Sequence, residues 1–305
     1  MKPFVIRVPA SSANLGPAFD SAGLALGLYL TLDVKESDEW EFLHMSPLLP
    51  PVDNTGEHFI FQAARQTAEA YSAELPACKV IMSSEIPLAR GLGSSASAAV
   101  AGIELANRAC SLSLSPQDKL MLATQIEGHP DNAAASLYGG LAITALHPDG
   151  GVDVFHTTEV QADIVAFIPE FELKTEQARQ VLPDRYLRKR AAAASAVSNV
   201  MIAALLAGDY ELAGRMMEKD LFHEPYRIRL LPGFAEIRAA ARELGAYGTA
   251  ISGAGPALLS LVPAGEGSRL AQALCMQFPH CKPKVLKLDK TGIQVEFPTH
   301  CKIAD

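Results

Sequence analysis

Between Leu24 and Val34 every even-numbered residue is apolar: Leu24, Leu26, Leu28, Leu30, Leu32 and Val34. A strand sends successive side chains to opposite faces, so a period of two this long predicts a half-buried β-strand. Short strands are expected beside it at Phe4–Val8, Glu41–Leu43 and Lys79–Met82. Helical signals interrupt them. Residues 56–72 carry Phe59, Ala63 and Tyr71 at helical spacing, and "SSASAAVAGIELANRA" at 94–109 predicts a close-packing helix of small residues. "SPQD" at 115–118 opens another, with Ser115 as N-cap, Pro116 in the first turn and Asp118 completing a capping-box-like pair. Strands are expected at Leu141–Ala145 and Ile164–Ile168, then helices at 174–182, 189–207 and 209–219, with Gly208 as a stop. The tail adds a helix at 233–244, strands at Leu258–Val262 and Val285–Leu288, a helix at 268–278 and a strand near Ile293–Phe297. Without a regular βαβ rhythm, the pattern reads as α+β in two lobes. They divide between Ala145 and Asp163, around "HPDGG", giving lobes of 1–155 and 156–305.

Composition narrows the partners. With 49% hydrophobic and 20% charged residues the 305-residue chain is globular in type, and long enough for a sizeable core. Its net charge of −8 argues against nucleic acid, which needs a basic face. An anionic ligand would have to be held locally, by helix N-termini, a few arginines or a metal ion. The N-terminus has no apolar core followed by a cleavage site, so no signal peptide is expected, and "AAAASAVSNVMIAALLAG" is too polar-interrupted for a membrane span. Five cysteines without a CxxC pair point to reduced thiols and a cytoplasmic chain. "PHC" at 279–281 and "THC" at 299–301 are too scattered to predict a metal cluster.

"PLARGLGSSAS" at 87–97 is a glycine-rich turn opening onto the small-residue helix. Gly91 and Gly93 allow positive φ and close backbone approach. Ser94 and Ser95 fall at the helix start, where free N–H groups and the dipole favour an anion, and their hydroxyls could reach a magnesium ion bridging phosphates. No GxxxxGK[ST] loop occurs anywhere in the chain. Alone, the stretch reads equally well as a tight turn before a helix. Three others accompany it. "PASSANLGPAFDSAGLAL" from Pro9 places Asn14, Gly16, Pro17 and Asp20 in a loop; "IEGHPDNAAASLYGG" at 126–140 gathers Glu127, His129, Asp131 and Asn132; "ISGAGPALLSLV" at 251–262 is a glycine turn feeding a buried strand.

Together these stretches resemble the GHMP kinase superfamily, and within it the homoserine kinase family. Pro87 to Ala96 matches the superfamily motif Pro-x-x-x-Gly-Leu-Gly-Ser-Ser-Ala, and Ser252 to Pro256 its Ser-Gly-x-Gly-Pro turn. "ARQVLP" at 178–183 and "HEPYRIRLLPG" at 223–233 resemble two arginine-bearing segments of the homoserine kinases, so the likeness runs from residue 3 to about 262. It implies an N-terminal lobe like the second domain of ribosomal protein S5 and a ferredoxin-like α+β C-terminal lobe.

The resemblance further implies ATP on Pro87, Leu88, Ala89, Arg90, Gly91, Leu92, Gly93, Ser94, Ser95, Ala96 and Ser97, with its adenine toward the region after Pro51 and Asn54. It places magnesium among Ser94, Ser95 and Glu127, and Asn132 near the reacting hydroxyl, making Asn132, Glu127 and Ser94 the catalytic set. L-homoserine would lie among Asn14, Asp20, His129, Asp131, Arg179 and Arg227. A zwitterion needs a carboxylate for its ammonium and a guanidinium for its carboxylate, and Asp20 and Asp131, Arg179 and Arg227 are the candidates. The implied step forms O-phospho-L-homoserine for threonine biosynthesis; its loose transition state relies on positioning and charge neutralisation. No general base is assigned, Asp131 being the nearest candidate, and a homodimer is compatible with the family. Two departures stand out: Ala18 where the signature has a second glycine, so that turn must avoid positive φ, and "DNAAAS" after the functional residues. A mevalonate- or sugar-type kinase, or a sensor that binds nucleotide without turnover, remains open.

Overall fold

The computed structural model describes residues 1–52 and 54–298, so Cys301 and the "THC" stretch lie outside the described residues. Two sheets organise the chain. The first contains β1 (Phe4–Asn14), β2 (Ala18–Glu36), β3 (Glu41–His44), β4 (Cys78–Ser84), β5 (Leu141–Leu146), β6 (Val152–Thr157) and β11 (Gln294–Glu296). The second contains β7 (Asp163–Pro169), β8 (Gly248–Ile251), β9 (Leu258–Val262) and β10 (Cys281–Leu286) in the antiparallel order β10-β7-β9-β8. Helices α1 (Phe59–Ala70), α2 (Ser94–Ala109), α3 (Pro116–Glu127) and α4 (Asp131–Tyr138) precede β5. Then α5 (Thr175–Gln180), α6 (Arg188–Ala207), α7 (Tyr210–Met217), α8 (Glu224–Arg227), α9 (Phe234–Glu243) and α10 (Gly267–Gln277) follow β7.

The alternating segment is the spine of the first sheet. β2 pairs with β1 on one side; on the other its first half pairs with β5 and its second half with β4. Its even-numbered leucines are buried with Ile6, Val8, Ile103 and Leu120 in a core lying between the sheet and α1–α4. The second sheet is covered on both faces. Ile164, Ala166, Leu259 and Leu261 join the first core with Met201 and Leu205, while Val165, Phe167, Leu258 and Val262 pack on Phe234, Ile237 and Leu270. That explains the unbroken apolar run of β7, which no alternation could betray.

Several elements differ from expectation. β1 continues to Asn14 and β2 begins at Ala18, so the Pro9–Leu26 stretch is mostly paired strand and only Leu15–Pro17 turns. "HPDGG" is a hairpin tip, His147 and Gly151 closing it, and β6 follows. "DNAAASLY" is helix α4, and the 56–72 helix breaks at His58 into a short 3₁₀ turn and α1. The last strand returns to pair with the outer edge of β1, covering its free N–H and C=O groups. Ala18 is free of positive φ as required; Asn14, Leu15 and Gly16 take the left-handed conformations at 73°, 47° and 81°. α6 is long and apolar enough to cross a membrane by length and composition, with 22% of that window buried. Cys78, Cys110, Cys275 and Cys281 are free thiols.

Candidate active site

The loop after β4 delivers the start of α2 to the seam between the sheets. Gly93 is the N-cap at φ 69° with no side-chain cap, and the first backbone N–H to find a carbonyl is that of Ser97, on Gly93 at 2.9 Å. The N–H groups of Ser94, Ser95 and Ala96 are therefore left for a ligand, at the positive end of a 16-residue helix. Both glycines are demanded twice over. Gly91 also has positive φ (74°), and a Cβ there would meet the Ser252 carbonyl at 2.3 Å; at Gly93 it would meet Ser11 Oγ at 2.1 Å. Opposite, Glu127 ends α3 and accepts from Ser95 Oγ at 2.6 Å, with burial raising its pKa above the usual carboxylate value.

Other members of the stretch face elsewhere. Leu92 is buried, and the Ser97 hydroxyl lies against the carbonyls of Pro9 and Gly93 (2.9 and 3.0 Å), away from any ligand, whereas Ala96, though buried, still borders the cleft. Arg90 turns to the C-terminal lobe, its Nε donating to the Pro169 carbonyl at 3.0 Å. Neither Pro87 nor Arg90 lines a cavity here; Leu88 borders the neighbouring one.

Ser94, Ser95 and Phe59 separate two hollows. One, about 440 Å³, is lined by Leu49, Pro51, Val52, Asn54, His58 and Leu88; Asn54 caps the 3₁₀ turn there, accepting from Gly56 N–H at 2.9 Å. His58 contacts His44 through their Nε2 atoms at 3.0 Å, and burial lowers its pKa to about 4, so this hollow holds a neutral imidazole at pH 7. The other, about 320 Å³, is lined by Asn14, Asp20, Glu127, His129, Asp131, Asn132, Arg179 and Arg227 with the loop glycines and serines. Both volumes suit small ligands.

In the second hollow the acidic and basic side chains are already interlocked. Arg179 grips Asp20 through both oxygens (2.8 and 3.2 Å), so the two residues assigned to opposite ends of a zwitterion pair with each other. Asn14 is a scaffold: its Nδ2 donates to the Gly253 carbonyl at 2.8 Å and its Oδ1 accepts the Asp20 N–H at 3.0 Å. Asp131, 1% exposed, opens α4 and takes His129 Nδ1 at 2.9 Å and the Asn132 N–H at 2.7 Å on Oδ1. Burial would lower the His129 pKa, but the hydrogen bond and charge of Asp131 outweigh it and raise it.

Arg227, 1% exposed, meets only neutral acceptors: the Ala178 and Gly253 carbonyls and His223 Nδ1, each at 3.1 Å. Burial, followed by the nearby Arg179, lowers its pKa to about 10, leaving it charged at pH 7. Among the described residues it forms no ion pair.

Three supporting residues escaped the sequence reading. Ser11 donates to Asn132 Oδ1 at 3.0 Å and fixes that amide; its signal was a pair of adjacent hydroxyls, Ser11–Ser12, following the apolar run that ends at Ala10. His223, fully buried, donates from Nε2 to the Gly16 carbonyl at 2.8 Å and offers Nδ1 to Arg227; burial first lowers its pKa to about 4, fixing the neutral form that can accept. Phe19 lies under both guanidinium groups, 5.8 Å from Arg179 and 5.5 Å from Arg227. Nothing local in the sequence distinguishes these last two.

Comparison with known proteins places the chain. The family "GHMP kinases N terminal domain" matches residues 58–140 and "GHMP kinases C terminal" residues 201–280. The chain is 54% identical over 271 residues to a homoserine kinase of Oceanobacillus iheyensis, covering 88% of this chain and 90% of that protein. It is 48% identical over 293 residues to a homoserine kinase of Bacillus velezensis, covering 96% and 94%. The crystal structure of homoserine kinase from Cytophaga hutchinsonii superposes with a TM-score of 0.83 at 26% identity, over 97% of this chain and 98% of that one. The chain belongs to the homoserine kinase family of the GHMP kinases.

Proposed function

We propose that the protein transfers the γ-phosphoryl group of ATP to the hydroxyl of L-homoserine, giving O-phospho-L-homoserine and ADP. The carrying observation is Arg227, a buried guanidinium that no carboxylate touches among the described residues, Asp20 and Asp220 acting on it only through space. An unpaired buried cation is costly, and a bound carboxylate would compensate it. Beside it the Asp20–Arg179 pair presents opposite charges, and an amino-acid zwitterion aligned against that pair satisfies both: ammonium on Asp20, carboxylate between Arg179 and Arg227. A neutral polyol acceptor has no use for these groups.

Triphosphate is read onto the N–H groups of Ser94, Ser95 and Ala96, with the nucleoside in the hollow of Asn54. No lysine lines the cleft among the described residues, so the helix start must supply much of the positive potential. Ser94, Ser95 and Glu127 fit a magnesium ion, since hydroxyls and one carboxylate plus phosphate oxygens are its preferred donors. Bound there, magnesium would neutralise phosphate charge. Asn132, anchored by Ser11, and Asp131 then orient the acceptor hydroxyl, and positioning carries the reaction. Residues 1–155 serve in this reading as the nucleotide lobe and 156–305 as its partner, with β11 exchanged back. The net charge of −8 and free thiols support a cytoplasmic enzyme with small-molecule partners.

Phosphorus NMR of the protein with ATP, magnesium and L-homoserine should show a phosphomonoester growing in step with ADP. ADP accompanied only by inorganic phosphate, or no ADP, overturns the reading.

A further inference from the structure

Arg90 sits inside the phosphate-loop motif, where a guanidinium is naturally taken for a triphosphate ligand. Its geometry says otherwise. Nε donates to the Pro169 carbonyl at 3.0 Å, Nη2 to the Glu170 carbonyl and Nη1 to the Leu88 carbonyl at 3.0 Å. Four residues past the end of β7, the Leu173 N–H returns a bond to the Ala89 carbonyl at 3.1 Å. Residues 170–174 have no helix or strand of their own, and they lead directly into α5, which carries Arg179. α5 is six residues long with Ala178 as its one buried side chain and no side-chain cap, so it has little core to fix it. The Ala178 carbonyl in turn accepts from Arg227 Nε.

We propose that Arg90 is a positioning residue of the acceptor site: by clamping the 169–173 strap to the phosphate loop it sets where Arg179 stands, and it binds no phosphate. The inference rests on the reading of Arg179 as part of the acceptor clamp. A planar fork suits two adjacent carbonyls, a geometry a lysine ammonium cannot reproduce. The Glu172 contact (3.3 Å) is an ion pair whose carboxylate is 64% exposed, and it contributes little.

The test is steady-state ADP release by the full chain and its variants, varying each substrate in turn. Arg90→Ala should raise the KM for homoserine about tenfold, the loss of one to two hydrogen bonds to a charged group, with the KM for ATP changed by less than about twofold. Arg90→Lys, which preserves folding charge, should show the same split at reduced size, and Glu172→Ala should show none. Adding Arg90→Ala to Arg179→Ala should raise the homoserine KM no further than Arg179→Ala alone, an absence of additivity that general destabilisation does not produce. An ATP KM that rises as much as the homoserine KM, in either Arg90 variant, overturns the proposal. So does an Arg179→Ala variant that raises the homoserine KM while both Arg90 variants leave it unchanged. If Arg179→Ala itself leaves it unchanged, the acceptor-site reading fails and the positioning role falls with it.

Discussion

Replacing Gly93 by alanine attacks the phosphate loop at the point where its backbone is most confined. An L-residue at φ 69° costs about 1–2 kcal/mol from the left-handed conformation alone. The new Cβ would also stand 2.1 Å from Ser11 Oγ and 3.1 Å from the Ser11 backbone, so the hydroxyl must leave. It then abandons Asn132 Oδ1 and the contact from Ser136 Oγ at 3.3 Å, each worth about 0.5–1.5 kcal/mol. The sum is about 2–5 kcal/mol, and for a chain of this length about 3–8 °C in Tm. Gly128→Ala is the control: φ is 81° there but no atom lies within 4 Å of the added Cβ, so only the conformational cost of about 1–2 kcal/mol applies. Calorimetry of both variants, and of Ser11→Ala/Gly93→Ala, separates the contributions. The double variant removes the closest contact and should recover part of the loss relative to Gly93→Ala, while ADP release stays low because Asn132 has lost its anchor. Equal Tm shifts for Gly93→Ala and Gly128→Ala, with no recovery in the double variant, would refute the close-approach reasoning.

Three further changes probe the cleft. Arg227→Ala strands two buried acceptors, the Ala178 carbonyl and His223 Nδ1, while the Gly253 carbonyl keeps Asn14 Nδ2, so a loss of about 2–5 kcal/mol in stability should accompany a homoserine KM raised at least about tenfold, while the ATP KM holds; equal KM effects contradict the clamp. Glu127→Gln should lower kcat about 10²-fold yet leave Tm at pH 7 unchanged or higher. Burial already favours the neutral acid, and a raised folded pKa means that stability is lost as pH rises through it, so the Tm difference should vanish toward pH 4.5; a large Tm drop at pH 7 would assign Glu127 to packing instead. The raised pKa of His129 gives a stabilisation fully present below pH 6.5 and lost as pH rises through the folded value; His129→Gln should flatten Tm between pH 6 and 9, and superimposable profiles would discount the pair.

Much of this was legible in the chain because some signals are local. The leucine alternation named β2 as a spine, the Ser115 capping box formed with both reciprocal bonds, and Gly93 occupies the left-handed N-cap that its motif implied. Other features depend on partners distant in sequence. β8 is four buried residues held by β9, and β11 exists through pairing with β1, Ile6 lying opposite Val295, 289 residues later. The "PDGG" tip carries a hairpin cue, Asp-Gly between strands, and β6 runs on from it across residues 155 and 156. α4 was hidden by Pro130, a weak N-cap without a side-chain bond, ahead of alanines that pack against β1 and β2. Within the site, residue types were readable but directions were not: no sequence pattern says that Arg90 faces away from the loop's ligand or that Arg179 rests on Asp20.

The central claim is that the cleft selects an amino-acid zwitterion as phosphoryl acceptor. ADP release with ATP and magnesium, measured against a panel of L-homoserine, mevalonate, galactose and L-threonine, tests it directly. The account predicts strong stimulation by L-homoserine and none by mevalonate or galactose, which have no ammonium for Asp20 and, in galactose, no carboxylate for the arginines. Absence of stimulation by L-homoserine, or greater stimulation by either neutral-amine-free acceptor, would contradict it.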